Sequence, residues 1–354
     1  MDKPSLVKSI IFMISGFVVF LLYLYFVAGI ENMMSVFREI DFYNYSLYYT
    51  LAIVAMILSV LLYSMSWNTL MSSISVKVGL KKTFLYCWLG NFVDLVIPLE
   101  TVSGEITKAY LVYRETNDQT GKVIASVIAH RILTTSIVLS SLVVSSLLLI
   151  NKYNIDVKIL YLLLATIFGS LALIIGLILL SLKAGAAEKI VDLLLNFIAP
   201  MFGERLNVSS IKEKAHLNLL QFHDGFKLFS RRKTILLSAV TCSFFAWLLH
   251  LSVYFLVFYA LGFDKVFAKV YEMTVVYSIS VAVQSTPVAL PTGLVEIAMT
   301  SLYILFGFPT AISGAATLFI RVITFWLQII VGYVIAQWIG VKNLLAQRYK
   351  STST

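Results

Sequence analysis

Two stretches of the sequence repeat the same ionisable residues at almost the same spacing. Glu105 precedes Arg131 by 26 residues, and Glu296 precedes Arg321 by 25 residues. Each glutamate ends a Thr-x-x-x-Glu pattern, and each arginine lies in an Ala-x5-Arg-x2-Thr pattern. A guanidinium group is a planar fork of donors that fits a carboxylate or a phosphate. The repeat therefore predicts two related clusters, in which an arginine pairs with a glutamate or transiently binds a phosphate group.

The composition of the chain indicates where these clusters must lie. The 354 residues are 60% hydrophobic and 13% charged, with a mean hydropathy of +0.91. Such a composition excludes a soluble domain and makes the bilayer the solvent. We expect a helix wherever an apolar run reaches the ~20 residues that span a bilayer. The runs that meet this length are 9–29, 46–67, 121–150, 157–183, 234–261 and 311–340.

Two further apolar stretches, 82–114 and 270–308, are interrupted halfway. Each is too long for one span and too short for two spans with a loop. Proline removes a backbone donor and glycine permits a reversal, so breaks are predicted where these residues cluster. The break residues are Pro98, Gly104, Pro287, Pro291 and Gly293. We therefore predict an all-α polytopic membrane protein with about six full transmembrane helices and two re-entrant hairpins, each made of two half-helices.

The distribution of basic residues predicts how the chain lies in the membrane. With both termini in the cytoplasm, 20 of the 27 Lys and Arg residues fall on the inner side and 5 on the outer side, while Arg131 and Arg321 lie within spans. Cytoplasmic loops carry an excess of Lys and Arg, which favours this orientation. The first hairpin then lies on the cytoplasmic side and the second on the outer side. Residues 1–354 form one domain with two inverted repeat units, 46–150 and 234–340, a plan that recurs among transporters.

The helical rise places both arginines near the bilayer centre. Arg131 is roughly 13 Å and Arg321 roughly 15 Å from opposite surfaces, and half of the hydrocarbon core is about 15 Å. A guanidinium group there costs about 2.5 kcal/mol on insertion scales, so it needs a partner or a wet cavity. Glu105 and Glu296 are the natural partners because both lie near the hairpin tips. Either these pairs hold each hairpin to the next span, or the arginines bind substrate and the glutamates neutralise them in its absence.

Lys108 is the remaining basic residue near a hairpin tip, one turn after Glu105. Its long side chain either extends toward the cytoplasmic headgroups or receives substrate beside the arginines. Asp94 and Glu100 flank the first break and have a weaker claim to a substrate role.

Neither a cofactor nor a metal ion is predicted. The four histidines and two cysteines form no ligand spacing. No Walker loop or Gly-x-Gly-x-x-Gly pattern is present to bind a nucleotide. No nucleophile-and-base pair is found, so we expect no enzymatic activity. The net charge of +9 fits anionic lipid at the cytoplasmic surface better than it fits nucleic acid. The segment 184–233 contains a basic amphipathic helix that either lies on the inner leaflet or packs on the bundle as a linker.

Three short elements extend the two clusters into longer motifs. Residues 103–111 read SGEITKAYL, residues 293–296 read GLVE, and residues 321–326 read RVITFW. They resemble the Gly-Gly-Glu-Pro-x-Arg-Ala-Tyr-Leu-like, Pro-Gly-Gly-x-Gly-x-x-Glu and Arg-x-x-Thr-[Phe/Tyr]-Trp elements of the lysylphosphatidylglycerol synthase transmembrane-region, or flippase-like, family. The resemblance covers about residues 5–345.

This chain departs from the family pattern at several positions of the two glutamate elements. Ser103 replaces a glycine, Ile106 a proline and Lys108 an arginine, and the second break keeps only the closing Gly-x-x-Glu of its element, at residues 293–296. The resemblance implies a protein that moves lipids between leaflets, as in the flippase half of bacterial multiple peptide resistance factors. Those proteins add a C-terminal soluble aminoacyltransferase domain. We expect that domain to be absent here, since the chain ends at Thr354 soon after its last span.

The sequence therefore predicts a stand-alone lipid translocase of the cell membrane that needs no cofactor. It would carry the headgroup of an anionic phospholipid or a polyprenyl-linked lipid across the bilayer centre through the Glu/Arg clusters. Its expected partners are membrane lipids and a lipid-modifying enzyme, not nucleic acid. One alternative is a transporter of a small soluble anion, coupled to protons through a glutamate. Another is a non-transporting membrane subunit for a partner enzyme that docks on 184–233.

Overall fold

The structure is a computed structural model of the chain. It describes residues 3–96, 103–116, 120–152, 233–284 and 291–352, together with isolated positions between 157 and 175. Within these ranges the secondary structure is helical, with turns and no strand. The predicted break residues Pro98 and Pro287 lie outside the described residues. So do most of the predicted span 157–183 and all of the predicted amphipathic segment up to residue 232.

The helices of the first half run in a simple order along the chain. They are α1 (Lys3–Val27), α2 (Ile30–Glu39), α3 (Phe42–Ser73), α4 (Leu80–Val96), α5 (Ser103–Thr116) and α6 (Thr120–Lys152). The start of α3 is fixed by Asp41, whose side chain accepts a hydrogen bond from the Tyr43 amide over 3.1 Å. Such a cap satisfies one of the amide groups that the first turn of a helix leaves without a partner.

The helices of the second half follow residue 232. They are α7 (Lys233–Ala260), α8 (Val270–Gln284), α9 (Pro291–Leu305), α10 (Thr310–Arg321) and α11 (Leu327–Thr352), with a 3-10 turn at Asp264–Ala268 and a π-helical turn at Val322–Trp326. Because α10, the π-helical turn and α11 follow one another without a break, they form one continuous helix.

Four helices of the described chain are long and apolar enough to cross a membrane. They are Phe42–Ser73, Thr120–Asn151, Lys233–Ala260 and Thr310–Gly340. Four of the six predicted spans thus coincide with such helices. The predicted span 9–29 falls on α1, which bends by 83° into α2. The chain is therefore an α-helical, multi-pass membrane protein.

The first interrupted stretch forms an antiparallel pair of short helices, α4 and α5. At one end, Tyr86 donates a hydrogen bond to Glu115 over 2.6 Å, and Lys82 forms an ion pair with the same carboxylate. At the other end, Asp94 accepts a hydrogen bond from Ser103 over 3.1 Å. The start of α4 thus contacts the end of α5, and the end of α4 contacts the start of α5, so the two helices are antiparallel. The start of α4 and the end of α5, called the outer ends here, lie side by side.

The second interrupted stretch repeats this arrangement with α8 and α9. The Lys269 side chain, just before α8, donates a hydrogen bond of 2.7 Å to the carbonyl of Phe306, just after α9. This bond joins the outer ends of the pair. The inner ends, Gln284 and Pro291, lie on either side of the second break. Each interrupted stretch is therefore a hairpin of two half-length helices.

The long helices α3 and α7 pack on each other along most of their length. Ser59 donates a hydrogen bond to the carbonyl of Ala246 over 2.8 Å, and Ser66 donates one to the carbonyl of Ala239 over 2.9 Å. The partner number falls by seven as the donor number rises by seven, so the helices are antiparallel. Serine at these positions lets the two backbones approach closely inside an apolar environment.

The order of elements in the second half repeats that in the first. A long helix (α3, α7), a hairpin (α4–α5, α8–α9) and a second long helix (α6, α10–α11) follow in turn. A shift of 191 positions, which separates Glu105 from Glu296, carries the first residue of α3 onto the first residue of α7. The same shift carries the starts of α4, α5 and α6 to within three residues of the starts of α8, α9 and α10.

Candidate functional site

The first cluster is built at the inner end of the first hairpin. Glu105 and Lys108 lie one turn apart on α5, and the Lys108 ammonium is 2.8 Å from a Glu105 carboxylate oxygen. The lysine residue is only 2% exposed. Its ammonium lies 5.4 Å from the ring centroid of Tyr63 and 5.5 Å from that of Trp67, both on α3. A buried cation thus has a carboxylate on one side and two aromatic faces on the other, which offsets its loss of hydration.

Arg131 completes this cluster from α6, but at a greater distance. Its nearest guanidinium nitrogen lies 4.0 Å from the second Glu105 oxygen, and the arginine side chain is 37% exposed. Residues 131–138 of α6 are all half-buried, so this part of the helix has neither a fully packed face nor a fully open one. The guanidinium group therefore lies at the edge of the packed interior.

Asp94 closes the inner end of the first hairpin. One of its carboxylate oxygens accepts hydrogen bonds from the Gly104 amide over 2.6 Å and from the Ser103 hydroxyl over 3.1 Å. These groups belong to the first turn of α5, where amide groups lack helical partners and a negative charge is favoured. Asp94 therefore caps α5 from the opposite half-helix. The Glu105 carboxylate is therefore not needed as a cap, and it pairs with Lys108 and Arg131 instead.

The second cluster uses the equivalent residues in a closed arrangement. The Arg321 Nε atom donates a hydrogen bond of 2.6 Å to Glu296, and the two side chains are 5% and 4% exposed. The other Glu296 oxygen accepts a hydrogen bond from the Gly293 amide over 2.6 Å. Gln284, at the end of α8, accepts a hydrogen bond from Arg321 over 3.2 Å. Glu296 therefore both caps α9 and neutralises the arginine.

Part of the Arg321 guanidinium remains unused in this arrangement. Its second terminal nitrogen is buried and has no hydrogen-bond partner among the described residues. The guanidinium carbon lies 4.5 Å from the ring centroid of Phe325, within the π-helical turn that follows Arg321. Single π-helical turns inside spans occur often at functional sites. An anion that reached this nitrogen would find a free donor in a region of low dielectric constant.

The predicted site residues fall into these two clusters. Glu105 and Arg131 come together in the first and Glu296 and Arg321 in the second, while no hydrogen bond or ion pair links the two clusters within the described ranges. The expectation that Lys108 extends toward the headgroups is wrong, because its side chain folds inward onto Glu105.

The predicted break residues have different roles in the structure. Pro291 begins α9, a position where its missing amide hydrogen costs nothing. Gly293 has φ of 93°, a conformation that favours glycine. Gly104, in contrast, lies inside the first turn of α5 rather than at a reversal. A Cβ atom there would lie 2.3 Å from the carbonyl oxygen of Gly90, so its glycine allows α4 and α5 to touch.

Sequence reasoning missed the tyrosines of the two clusters. Tyr63 contacts Lys108 and packs edge-on against His130 at a centroid distance of 4.3 Å. The 191-residue shift carries Tyr63 onto Tyr254, which lies close enough to Arg321 for an electrostatic interaction. Applying the shift from Glu105 to Glu296 across the whole sequence would have revealed this pair. In the described part of the chain, no group of three His, Cys, Asp or Glu side chains could hold a metal ion.

Comparison with known proteins places this architecture in a family. The family model described as the lysylphosphatidylglycerol synthase TM region matches residues 13–332. The chain belongs to this family. The match includes α3 to α10, so both hairpins and both charge clusters of this chain lie within the matched segment.

Several archaeal members of the lysylphosphatidylglycerol synthase TM-region family are similar over nearly their full length. A UPF0104 membrane protein of Pyrococcus horikoshii is 27% identical, over 92% of this chain and 95% of its own. One from Methanothermobacter thermautotrophicus is 22% identical, over 83% and 86% of the two chains. One from Methanocaldococcus jannaschii is 23% identical, over 94% and 96%. No solved structure matches this chain.

Proposed function

We propose that this protein is a lipid translocase, which moves a lipid with an anionic, phosphate-bearing headgroup between the leaflets of the cell membrane. The family is named for the membrane region of a synthase whose product is a phospholipid. That name favours a lipid as the molecule that meets the two charge clusters. The acyl or polyprenyl tail would stay in the bilayer while the headgroup passes through the protein.

The two halves of the chain act as inverted repeats in this proposal. The antiparallel packing of α3 on α7 and the 191-residue shift between equivalent helices both support it. Two units related in this way open toward opposite sides of the membrane. With both termini in the cytoplasm, the first hairpin is re-entrant from the cytoplasmic side and the second from the outer side, as the distribution of Lys and Arg favours.

One observation carries the functional proposal: the equivalent arginines differ in availability. Arg321 is engaged by Glu296 at 2.6 Å and is buried, whereas Arg131 stands 4.0 Å from Glu105 and is 37% exposed. A purely structural role would favour two equally closed pairs, because an ion in a membrane interior needs its partner. One open and one closed cluster is the arrangement expected of a carrier that offers its site to one side at a time.

The proposed cycle follows from the charges. A headgroup phosphate binds the exposed guanidinium of Arg131 through charge-assisted hydrogen bonds. As the two units exchange conformation, the phosphate passes to the buried donor of Arg321 and then leaves on the other side. Glu296 pairs with Arg321 once the phosphate has left, so that this buried arginine is not left without a partner. The chain acts without enzymatic chemistry in this scheme.

A vesicle assay tests this proposal. The purified protein is reconstituted into vesicles that contain fluorescently labelled phosphatidylglycerol, and dithionite bleaches the label in the outer leaflet only. We expect wild-type vesicles to lose more than half of the signal, and Arg131→Gln vesicles to behave like protein-free ones. Arg38→Gln, which changes an exposed arginine of α2, is the matched control and should transport as wild type does.

Two results would reject lipid translocation through this site. The first is equal bleaching of wild-type and Arg131→Gln vesicles. The second is uptake of inorganic phosphate by wild-type vesicles without movement of labelled lipid, which would identify a transporter of a small soluble anion.

A further inference from the structure

The two clusters differ at one position, the residue one turn after the glutamate. In the first unit this residue is Lys108, three positions after Glu105. In the second unit it is Met299, three positions after Glu296. Both side chains are buried, at 2% and 0% exposure, so they occupy equivalent interior positions on α5 and α9. A cation in one unit thus corresponds to an uncharged side chain of similar length in the other.

The hairpin of the first unit has a space for this lysine. A Cβ atom on Gly90 of α4 would lie 2.9 Å from the Lys108 Cγ atom, so the aliphatic part of the lysine crosses α4 where the glycine leaves room. The ammonium group then reaches Glu105 at 2.8 Å. The lysine is therefore held in place by packing as well as by charge, and its position does not depend on a ligand.

The distance between arginine and glutamate is longer in the unit that contains the lysine. Where Lys108 is present, Glu105 is 2.8 Å from the lysine and 4.0 Å from Arg131. Where methionine replaces it, Glu296 is 2.6 Å from Arg321. One carboxylate neutralises about one cation, and Coulomb attraction falls with distance. Glu105 is therefore paired closely with Lys108 and only loosely with Arg131.

We propose that Lys108 is a positioning residue, which occupies Glu105 and so keeps Arg131 available for the phosphate of an anionic headgroup. This inference rests on the proposed function, and it adds that the first cluster binds the headgroup phosphate before the second cluster does. In the conformation described here, the Arg131 guanidinium is only loosely paired, at 4.0 Å from Glu105, so it can bind an anion. The Arg321 guanidinium is held by Glu296 at 2.6 Å and is less available.

Direct binding of the phosphate by Lys108 is the competing explanation. The surroundings of the ammonium group argue against it, since Glu105 and the rings of Tyr63 and Trp67 enclose it. The side chain of Lys108 is 3% exposed, against 37% for that of Arg131. A headgroup entering beside α6 would meet the arginine first.

Binding to the detergent-solubilised full-length protein separates the two explanations. The probes are dihexanoyl phosphatidylglycerol and inorganic phosphate, and calorimetric titration gives the dissociation constant of each. With Lys108→Met, Glu105 should close on Arg131 as Glu296 closes on Arg321. We expect binding of the lipid probe to weaken by about tenfold or more, because a charge-assisted hydrogen bond is lost to the glutamate. Lys108→Arg keeps the cation and should bind within about threefold of wild type.

The double variant Glu105→Gln/Lys108→Met is the decisive comparison. It removes the buried ion pair as a unit with side chains of similar size, and it leaves Arg131 without a competing carboxylate. We expect it to bind the lipid probe within about threefold of wild type. Thermal unfolding in the same detergent shows that each variant is folded.

Each outcome decides between the explanations. If the double variant binds at least about tenfold more weakly than wild type, Lys108 itself binds the phosphate and the inference is wrong. If Lys108→Met binds as wild type does, the inference is wrong although the proposed function stands. If the wild-type protein binds neither probe, both fail. Binding of inorganic phosphate alone would keep the role of Lys108 but identify a soluble anion as the ligand.

Discussion

The Nε atom of Arg321 lies 2.6 Å from a carboxylate oxygen of Glu296, and less than a tenth of either side chain is exposed. An ion pair this deep in a membrane protein is expensive to form and more expensive to break. Its counterpart in the first half of the chain is loose and partly open. Two copies of one residue pattern therefore have different geometry and burial in the same conformation.

The first prediction concerns the stability of variants at the two arginines. Arg321→Ala leaves Glu296 buried without a cation, so we expect a loss of about 3–5 kcal/mol in the free energy of unfolding. Arg131→Ala should cost no more than about 1 kcal/mol, because this arginine is partly exposed and 4.0 Å from Glu105. Unfolding by SDS, followed by circular dichroism, measures both changes. Equal losses in the two variants would show that the clusters are not open and closed as described.

This difference determines which substitution is used to test transport. Alanine at Arg321 combines a loss of function with a loss of stability, whereas Arg131→Gln alters the open cluster alone. A transport defect in Arg131→Gln can therefore be attributed to the lost guanidinium group, whereas one in Arg321→Ala could also reflect unfolding.

A second prediction tests the close approach of α4 and α5. A Cβ atom on Gly104 would lie 2.3 Å from the Gly90 carbonyl oxygen and 2.4 Å from an Asp94 carboxylate oxygen. Gly104→Ala must therefore push the half-helices apart, at a cost of about 1–3 kcal/mol typical of overpacking. Gly79→Ala is the matched control, because no atom lies within 4 Å of its added Cβ. SDS unfolding should separate the two variants, and equal stability would contradict the packing of the first hairpin.

A third prediction tests the antiparallel packing of α3 and α7. In a background without Cys87 and Cys242, the pair Ser59→Cys/Ala246→Cys should form a disulfide on mild oxidation, since these positions are joined by a hydrogen bond of 2.8 Å. The control pair Ser59→Cys/Ala239→Cys moves one thiol about 10 Å along α7 and should stay reduced. Intact-mass spectrometry detects the disulfide. Oxidation of the control pair alone would require a different packing of α3 on α7.

Four of the six predicted spans coincide with long apolar helices, because a span depends on local features of the sequence. Apolar runs define the spans, and proline and glycine interrupt the two shorter stretches. The predicted span 234–261 differs from α7, Lys233–Ala260, by one residue at each end. The family was also predicted correctly, from short motifs around Glu105, Glu296 and Arg321.

The arrangement within the clusters could not be predicted in the same way. The Glu/Arg spacing is nearly identical in the two units, yet one pair is open and the other closed. The difference arises from contacts between residues far apart in sequence, such as those of Lys108 with Tyr63. The cap on α5 is similar, since Asp94 reaches it from the other half-helix. Sequence spacing identifies which residues can meet but not which partner each carboxylate selects.

The central claim is that the two hairpins enter the membrane from opposite sides and each returns to its own side. Single cysteines at Lys81 and Tyr113 mark the outer ends of the first hairpin, and cysteines at Lys265 and Leu305 mark those of the second; all four positions are exposed. Labelling with a membrane-impermeant maleimide in sealed vesicles of known orientation measures which side each position faces. We predict that Lys81 and Tyr113 label only from the cytoplasmic side and Lys265 and Leu305 only from the outer side. Labelling of all four positions from one side, or of the two ends of one hairpin from different sides, would contradict the account.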